Sequence, residues 1–160
     1  TYSTIPQSIG ADNIPYITII QVNKVLTKEP VLLEENNTKD YGADPIDISG
    51  QSISKAHLNL RYTILNGGNQ LIAHTINLVI AKDARPDAQG YLSAELRHDA
   101  AGDLQINANS GYVSFTLENM PGFKEGTLKG FKIKTRTIKN GTDIVEVTMN
   151  NNKKSLNFNI

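Results

Sequence analysis

Apolar and polar residues alternate with period two along much of the chain, the pattern of strands that bury one face. His57–Leu65 puts Leu58, Leu60, Tyr62 and Ile64 on one side, and Asn59, Arg61 and Thr63 on the other. Leu71–Ile80 aligns Ile72, Ile76, Leu78 and Ile80, with His74 in the same phase. Tyr91–His98 turns Leu92, Ala94 and Leu96 inward, and His98 continues that set. Tyr112–Glu118 carries Val113, Phe115 and Leu117 on one face, Gly130–Ile138 carries Phe131 and Ile133, and Ile144–Met149 carries Val145, Val147 and Met149. Tyr16–Val22 also reads as a strand, and Ser155–Ile160 as a last one.

Turn residues punctuate these runs. Asn140-Gly141 is a strong hairpin signal. Pro30 interrupts Lys24–Glu35 and cannot donate to a ladder, so that stretch is an edge strand or is broken in two. Asn36–Asp47 reads as a loop, and Ala100–Asn109 as a long connection with a short strand at Leu104–Ile106. Asn66-Gly67-Gly68-Asn69 reads as a hairpin turn. A two-residue loop there would set the apolar faces of its two strands on opposite sides, so a loop of odd length is expected. Short strands with regular turn signals, and no amphipathic helix, predict an all-β, two-sheet antiparallel β-sandwich. Its expected core is Leu58, Leu60, Tyr62, Ile76, Leu78, Leu92, Leu96, Val113, Phe115, Phe131 and Ile133.

Composition narrows the chemistry. The 160 residues carry 16 basic and 16 acidic side chains, so no broad field attracts nucleic acid or an anionic membrane. There is no Cys, which removes disulfides, thiolate metal sites and Cys nucleophiles. No P-loop, dinucleotide fingerprint or nucleophile elbow is present, and no cofactor is expected.

Three polar groups merit weighing. Glu95, His98, Asp99 and Asp103 form the densest cluster, and a hydrolase would draw on those carboxylates. Glu95 and His98 lie three apart on a strand, however, and point to opposite faces, while Asp99 and Asp103 sit where Asp caps turns. His74 and His98 are expected to be buried structural rings, partnered by backbone carbonyls, the Tyr62 hydroxyl or the Asp99 carboxylate; His57 falls out of phase, at the surface. A metal centre would need His74, His98 and a carboxylate to converge. Lys132, Lys134 and Arg136 share one strand face, which would suit an anion-binding module or a solvated strand face guarded by Lys. Asp40, Asp44 and Asp47 lack the ligand set of a calcium loop, and Asp44-Pro45 is better read as a turn start.

Several blocks in order, IIQVNKVLT (Ile19–Thr27), YGADPI (Tyr41–Ile46), HLNLRYTI (His57–Ile64), HTINLV (His74–Val79), GYLSAELRHDAAGD (Gly90–Asp103) and GYVSFTL (Gly111–Leu117), resemble the C-terminal β-sandwich domain of NigD-like proteins, lipoproteins of Bacteroidetes. The resemblance runs from about residue 16 to 138. It implies export to the cell envelope, with an outer-membrane location suspected, and a lipid anchor on a Cys outside this chain. The family name comes from a bacteriocin-linked gene cluster, and an immunity role has been suggested for it; no catalytic residue carries over. Relatives place a small OB-like barrel upstream. Residues 1–13 are accordingly expected to be a linker or the last strand of such a barrel, with Tyr2–Ile5 strand-like and Pro6–Pro15 turn-rich, and residues 14–160 the sandwich. The function expected is a non-catalytic binding or structural module, not an enzyme. Its partner would be an envelope protein or glycan, with no nucleic acid and membrane contact only through the anchor.

Overall fold

The computed structural model describes residues 24–139 and 141–149, and the backbone course of the strands β1 (Tyr2–Ile9) and β2 (Pro15–Ile19). β1 and β2 pair antiparallel, Tyr2 opposite Ile19, which joins residues on both sides of the boundary expected near residue 13. The strand expected at Ser155–Ile160 lies outside the described residues.

Nine further strands follow: β3 (Leu26–Lys28), β4 (Val31–Leu33), β5 (Ile46–Ser54), β6 (His57–Asn66), β7 (Thr75–Ala81), β8 (Tyr91–Asp99), β9 (Asn107–Thr116), β10 (Gly130–Arg136) and β11 (Thr142–Thr148). They form a five-stranded sheet in the order β11-β10-β8-β7-β4 and a four-stranded sheet in the order β3-β9-β6-β5. The predicted β-sandwich is therefore present. Its sheets are mixed: most neighbours are antiparallel, but β8/β10, β3/β9 and β4/β7 run parallel. β8 and β10 become parallel neighbours because the chain leaves their sheet, adds β9 to the other, and returns.

The alternation sets the core. Leu58, Leu60, Ile76, Leu78, Leu92, Leu96, Val113, Phe115, Phe131 and Ile133 are all buried, and Tyr62 packs half-buried against them. At about 25 cal/mol per Å² of apolar surface removed from water, such a core holds two sheets together without covalent ties.

Three readings need correction. Asn66–Asn69 does not turn a hairpin: β6 pairs with β5 and β9, and β7 with β8 and β4, so residues 67–74 cross from one sheet to the other. The parity conflict raised by a two-residue loop vanishes, because the apolar faces of β6 and β7 now meet across the core. β5 starts at Ile46, inside the stretch Asn36–Asp47 that reads as a loop, and runs on through residues without a strand pattern. Leu104–Ile106 is not a strand; β9 instead begins at Asn107, earlier than the alternation marks it.

Other breaks fall as expected. Pro30 separates β3 from β4, and the two halves form edge strands of opposite sheets. β10 and β11 form a hairpin, Arg136 opposite Thr142, closed by Thr137 N–H donating to the Gly141 carbonyl at 2.9 Å. Asn140 itself lies outside the described residues.

The site depends on one end of the sandwich. β6 ends and β9 begins there, Asn66 opposite Asn107, as β8 ends and β7 begins, Thr75 opposite Asp99. Two of the sheet-crossing connections, 67–74 and 100–106, gather at that end. The loop before β5 reaches it too, through a bridge in which Asp44 N–H donates to the His98 carbonyl at 2.9 Å.

Candidate functional site

His98 is the last inward residue of β8 and only 1 % exposed. Its Nδ1 lies 3.0 Å from the Pro45 carbonyl. Its Nε2 faces Nδ1 of His74 at 2.9 Å. His74 Nε2 in turn lies 3.1 Å from Asp103 Oδ2. The two rings are edge to edge, with centroids 5.1 Å apart and planes 27° from parallel, so the facing nitrogens lie close to the line between centroids. Asp103 is itself held: Oδ2 accepts the Gly67 N–H and Oδ1 the Leu104 N–H, each at 2.8 Å. A single carboxylate thus pins the 67–74 crossing to the 100–106 crossing. Gly67 permits the approach, since a Cβ there would stand 2.6 Å from Asp103 Oδ1.

The electrostatics follow from these contacts. Hydrogen bonds from Gly67 and His74 hold the Asp103 carboxyl below the usual carboxylate range, against the effect of burial. Burial pulls His98 below the ordinary histidine range, and the Pro45 hydrogen bond opposes it.

Both rings turn inward, as the phase of the strands predicted, His98 buried and His74 partly so; one expected partner is found, a backbone carbonyl on His98, but the Tyr62 hydroxyl and the Asp99 carboxylate are engaged elsewhere. The Tyr62 hydroxyl lies against Gly111, and Asp99 Oδ1 caps the Ala101 N–H at 2.8 Å. The carboxylate used is Asp103. Nothing in the sequence named Pro45 as an acceptor; the one local signal is Gly42, whose left-handed φ of +80° lets the Tyr41–Pro45 turn close onto the end of β8.

The remaining candidates are dispersed. Glu95 points outward, and although burial opposes its charge, Arg97 and Lys134 outweigh that and keep its carboxyl below the usual range. Glu95, Asp99 and Asp103 therefore do not converge. On the outer face of β10, Lys132 pairs with Asp87 at 2.7 Å, Lys134 with Glu95 at 3.4 Å, and Arg136 donates to the Ala43 carbonyl at 3.0 Å. Asp40, Asp44 and Asp47 each accept backbone N–H groups, of Gly42, Ala100 and Ile138. Among the described residues no three His, Asp or Glu side chains are placed to hold a metal ion.

Beside the His74–Asp103 contact the two crossings frame a cleft of about 520 Å³. Five carboxamides line it, Asn66, Asn69, Gln70, Asn107 and Asn109, and no Lys or Arg does.

This architecture has known counterparts, and one match decides the family. The model of the NigD-like C-terminal beta sandwich domain matches residues 29–149. The chain belongs to that family. The match starts later than the sequence blocks suggested and reaches β11. Solved structures share the fold of this NigD-like chain at low identity. A protein of unknown function from Bacteroides vulgatus superposes with a TM-score of 0.68 at 22 % identity, covering 92 % of this chain and 67 % of the other. A NigD-like immunity protein from Bacteroides caccae gives 0.62 at 18 % identity, over 91 % and 68 %. A candidate lipoprotein from Bacteroides fragilis gives 0.61 at 11 % identity, over 84 % and 75 %. No curated protein matches the sequence. At these identities the likeness establishes the shared sandwich, on which different functions can be built.

Proposed function

We propose that this NigD-like domain is a non-catalytic binding module of an exported cell-envelope lipoprotein, and that its ligand is a neutral glycan held in the loop-end cleft. The observation that carries the reading is the cleft's lining. Each carboxamide offers an N–H donor and a C=O acceptor on one rigid plane, which suits adjacent sugar hydroxyls, and neither Lys nor Arg lines the cleft to select an anion. The walls are preorganised, because Asp103 fastens both crossings before any ligand arrives. The carboxylates that a hydrolase would use are spent on backbone caps, ion pairs and His74. Export and a lipid anchor are supported by the family match and by the lipoprotein and immunity protein among the structural relatives.

A glycan array probed with the domain and with an Asn69→Ala/Gln70→Ala/Asn107→Ala variant tests the site. Binding to uncharged glycans that the variant loses is the expected result. Equal binding by both proteins, or none by the native domain, would sink the cleft assignment. Turnover of a bound glycan that Glu95→Gln or Asp99→Asn abolishes would sink the non-catalytic reading. Incorporation of a fatty-acid analogue into the full-length gene product checks the anchor.

A further inference from the structure

We propose that His74 and His98 together bind one proton beyond the two of a neutral pair, and that this proton joins three loops at the end of the sandwich.

Both ends of the four-member chain are acceptors. The Pro45 carbonyl can only accept, so His98 Nδ1 carries a proton. Asp103 also accepts from His74 Nε2. Its Oδ2 already takes the Gly67 N–H and its Oδ1 the Leu104 N–H, bonds that favour the ionised carboxylate, so the proton of that contact stays on the ring. With the outer nitrogens protonated, two neutral rings would have used both their protons. His74 Nδ1 and His98 Nε2 would then face each other as two lone pairs 2.9 Å apart, which is repulsive. One more proton turns that contact into an N–H···N bond of ordinary length. The four ring nitrogens then carry three protons, and the pair bears a single positive charge next to the negative Asp103.

The surroundings agree. Among the described residues no buried side-chain nitrogen or oxygen lacks a neighbour at hydrogen-bonding distance, and for His74 Nδ1 and His98 Nε2 that neighbour is the other ring. The charged groups facing the pair are all carboxylates: Asp103 from the 100–106 crossing, Asp44 from the loop before β5, and Asp99 from the end of β8. The 67–74 crossing brings no charge besides His74 itself. The side chain of His74 is 11 % exposed, so the proton exchanges with solvent through that ring. Loss of the proton opens the central bond and breaks the side-chain path from the Pro45 carbonyl through the two rings to Asp103, while Asp44 still holds the same loop to Ala100 and Gln105. The pair is thus a link between the Pro45 loop and the 67–74 crossing that is closed with one extra proton and open without it.

Nitrogen-15 NMR of histidine-labelled protein counts protonated ring nitrogens directly, with His57→Gln used to identify and remove the third ring. Three protonated nitrogens of four at neutral pH is the expected count. Two, with or without a metal ion between the rings, overturns the proposal, and so does four. In Asp103→Asn the extra proton should leave at a lower pH than in the native chain; an unchanged titration overturns the role given to Asp103.

Discussion

Lys28, on β3 of one sheet, donates its ammonium to Asn77 Oδ1, on β7 of the other, at 2.6 Å. The same Nζ reaches the Ile76 carbonyl at 2.6 Å. β3 is too short to cover the sheet edge beside it, and β4 pairs with β7 only from Val79 onward. Lys28 therefore satisfies a carbonyl on the uncovered part of β7 and ties the sheets where Pro30 forces the chain to cross. Charged side chains at sheet edges also discourage pairing with other chains. Burial, and then Lys39, pull this lysine below its ordinary range, as expected of an ammonium drawn inward.

Lys28→Met keeps the aliphatic stem and removes the tie. A half-buried, charge-assisted pair of bonds is worth about 1–2 kcal/mol here. The denaturant midpoint should fall with an unchanged slope. A midpoint equal to the native one would mean that solvent replaces the ammonium at no cost.

Residues in the strands show what the sequence reveals and what it hides. Buried faces were legible from parity alone, because the side-chain period in a strand is two: Leu58/Leu60, Leu92/Leu96 and Phe131/Ile133 are all inward. Pairing was not legible, because parity fixes a strand's face and leaves its neighbour open. Gly67-Gly68 has the composition of a hairpin turn, yet Gly67 is there to admit Asp103, a contact 36 residues away in sequence. β5 escaped because it is an edge strand with a bulge between Ile48 and Gly50 that breaks the alternation. At the site, the inward phase of His74 and His98 was readable. The choice of Asp103 over Asp99 was not, since it depends on how two crossings fold over the end of the core.

The role of Gly67 gives a second prediction. Gly67→Ala places a methyl 2.6 Å from Asp103 Oδ1 and 3.0 Å from Leu104 Cβ, and backbone on both sides must shift. The change should loosen both crossings and leave the sheets intact. Hydrogen exchange is expected to speed up at Leu104 and Ala100 and to stay native at Leu58 and Phe131. Uniform acceleration would show instead that the loop end is part of the global unfolding unit.

His74 and Asp103 should not act independently. His74→Ala leaves the buried His98 Nε2 without its partner and should cost about 1–3 kcal/mol. Asp103→Ala releases Gly67, Leu104 and His74 together. Because the two share one bond, the double variant should lose less than the summed losses of the single ones. Additive losses in urea unfolding would mean that the His74–Asp103 contact contributes nothing.

The depressed titration of His98 and Asp103 predicts two separate losses of stability in acid. Burial holds His98 below its unfolded value of about 6.5. As pH falls below that value the unfolded chain takes up a proton that the folded chain refuses. The contribution of His98 is thus full above about 6.5 and is lost as pH falls through its lower folded value. Asp103 obeys the same sign one step lower. Its contribution is full above the ordinary carboxylate value of about 4 and is lost as pH falls through the depressed folded value, when the bonds from Gly67 and His74 lose their anion. Unfolding free energy measured against pH should therefore decline in two stages. His98→Gln, which cannot titrate, should flatten the upper stage, and Asp103→Asn the lower one, whatever constant offset each change adds. A native curve that is level from neutral pH down to the carboxylate range would show that His98 takes up its proton as readily folded as unfolded, and that burial does not disfavour its charged ring.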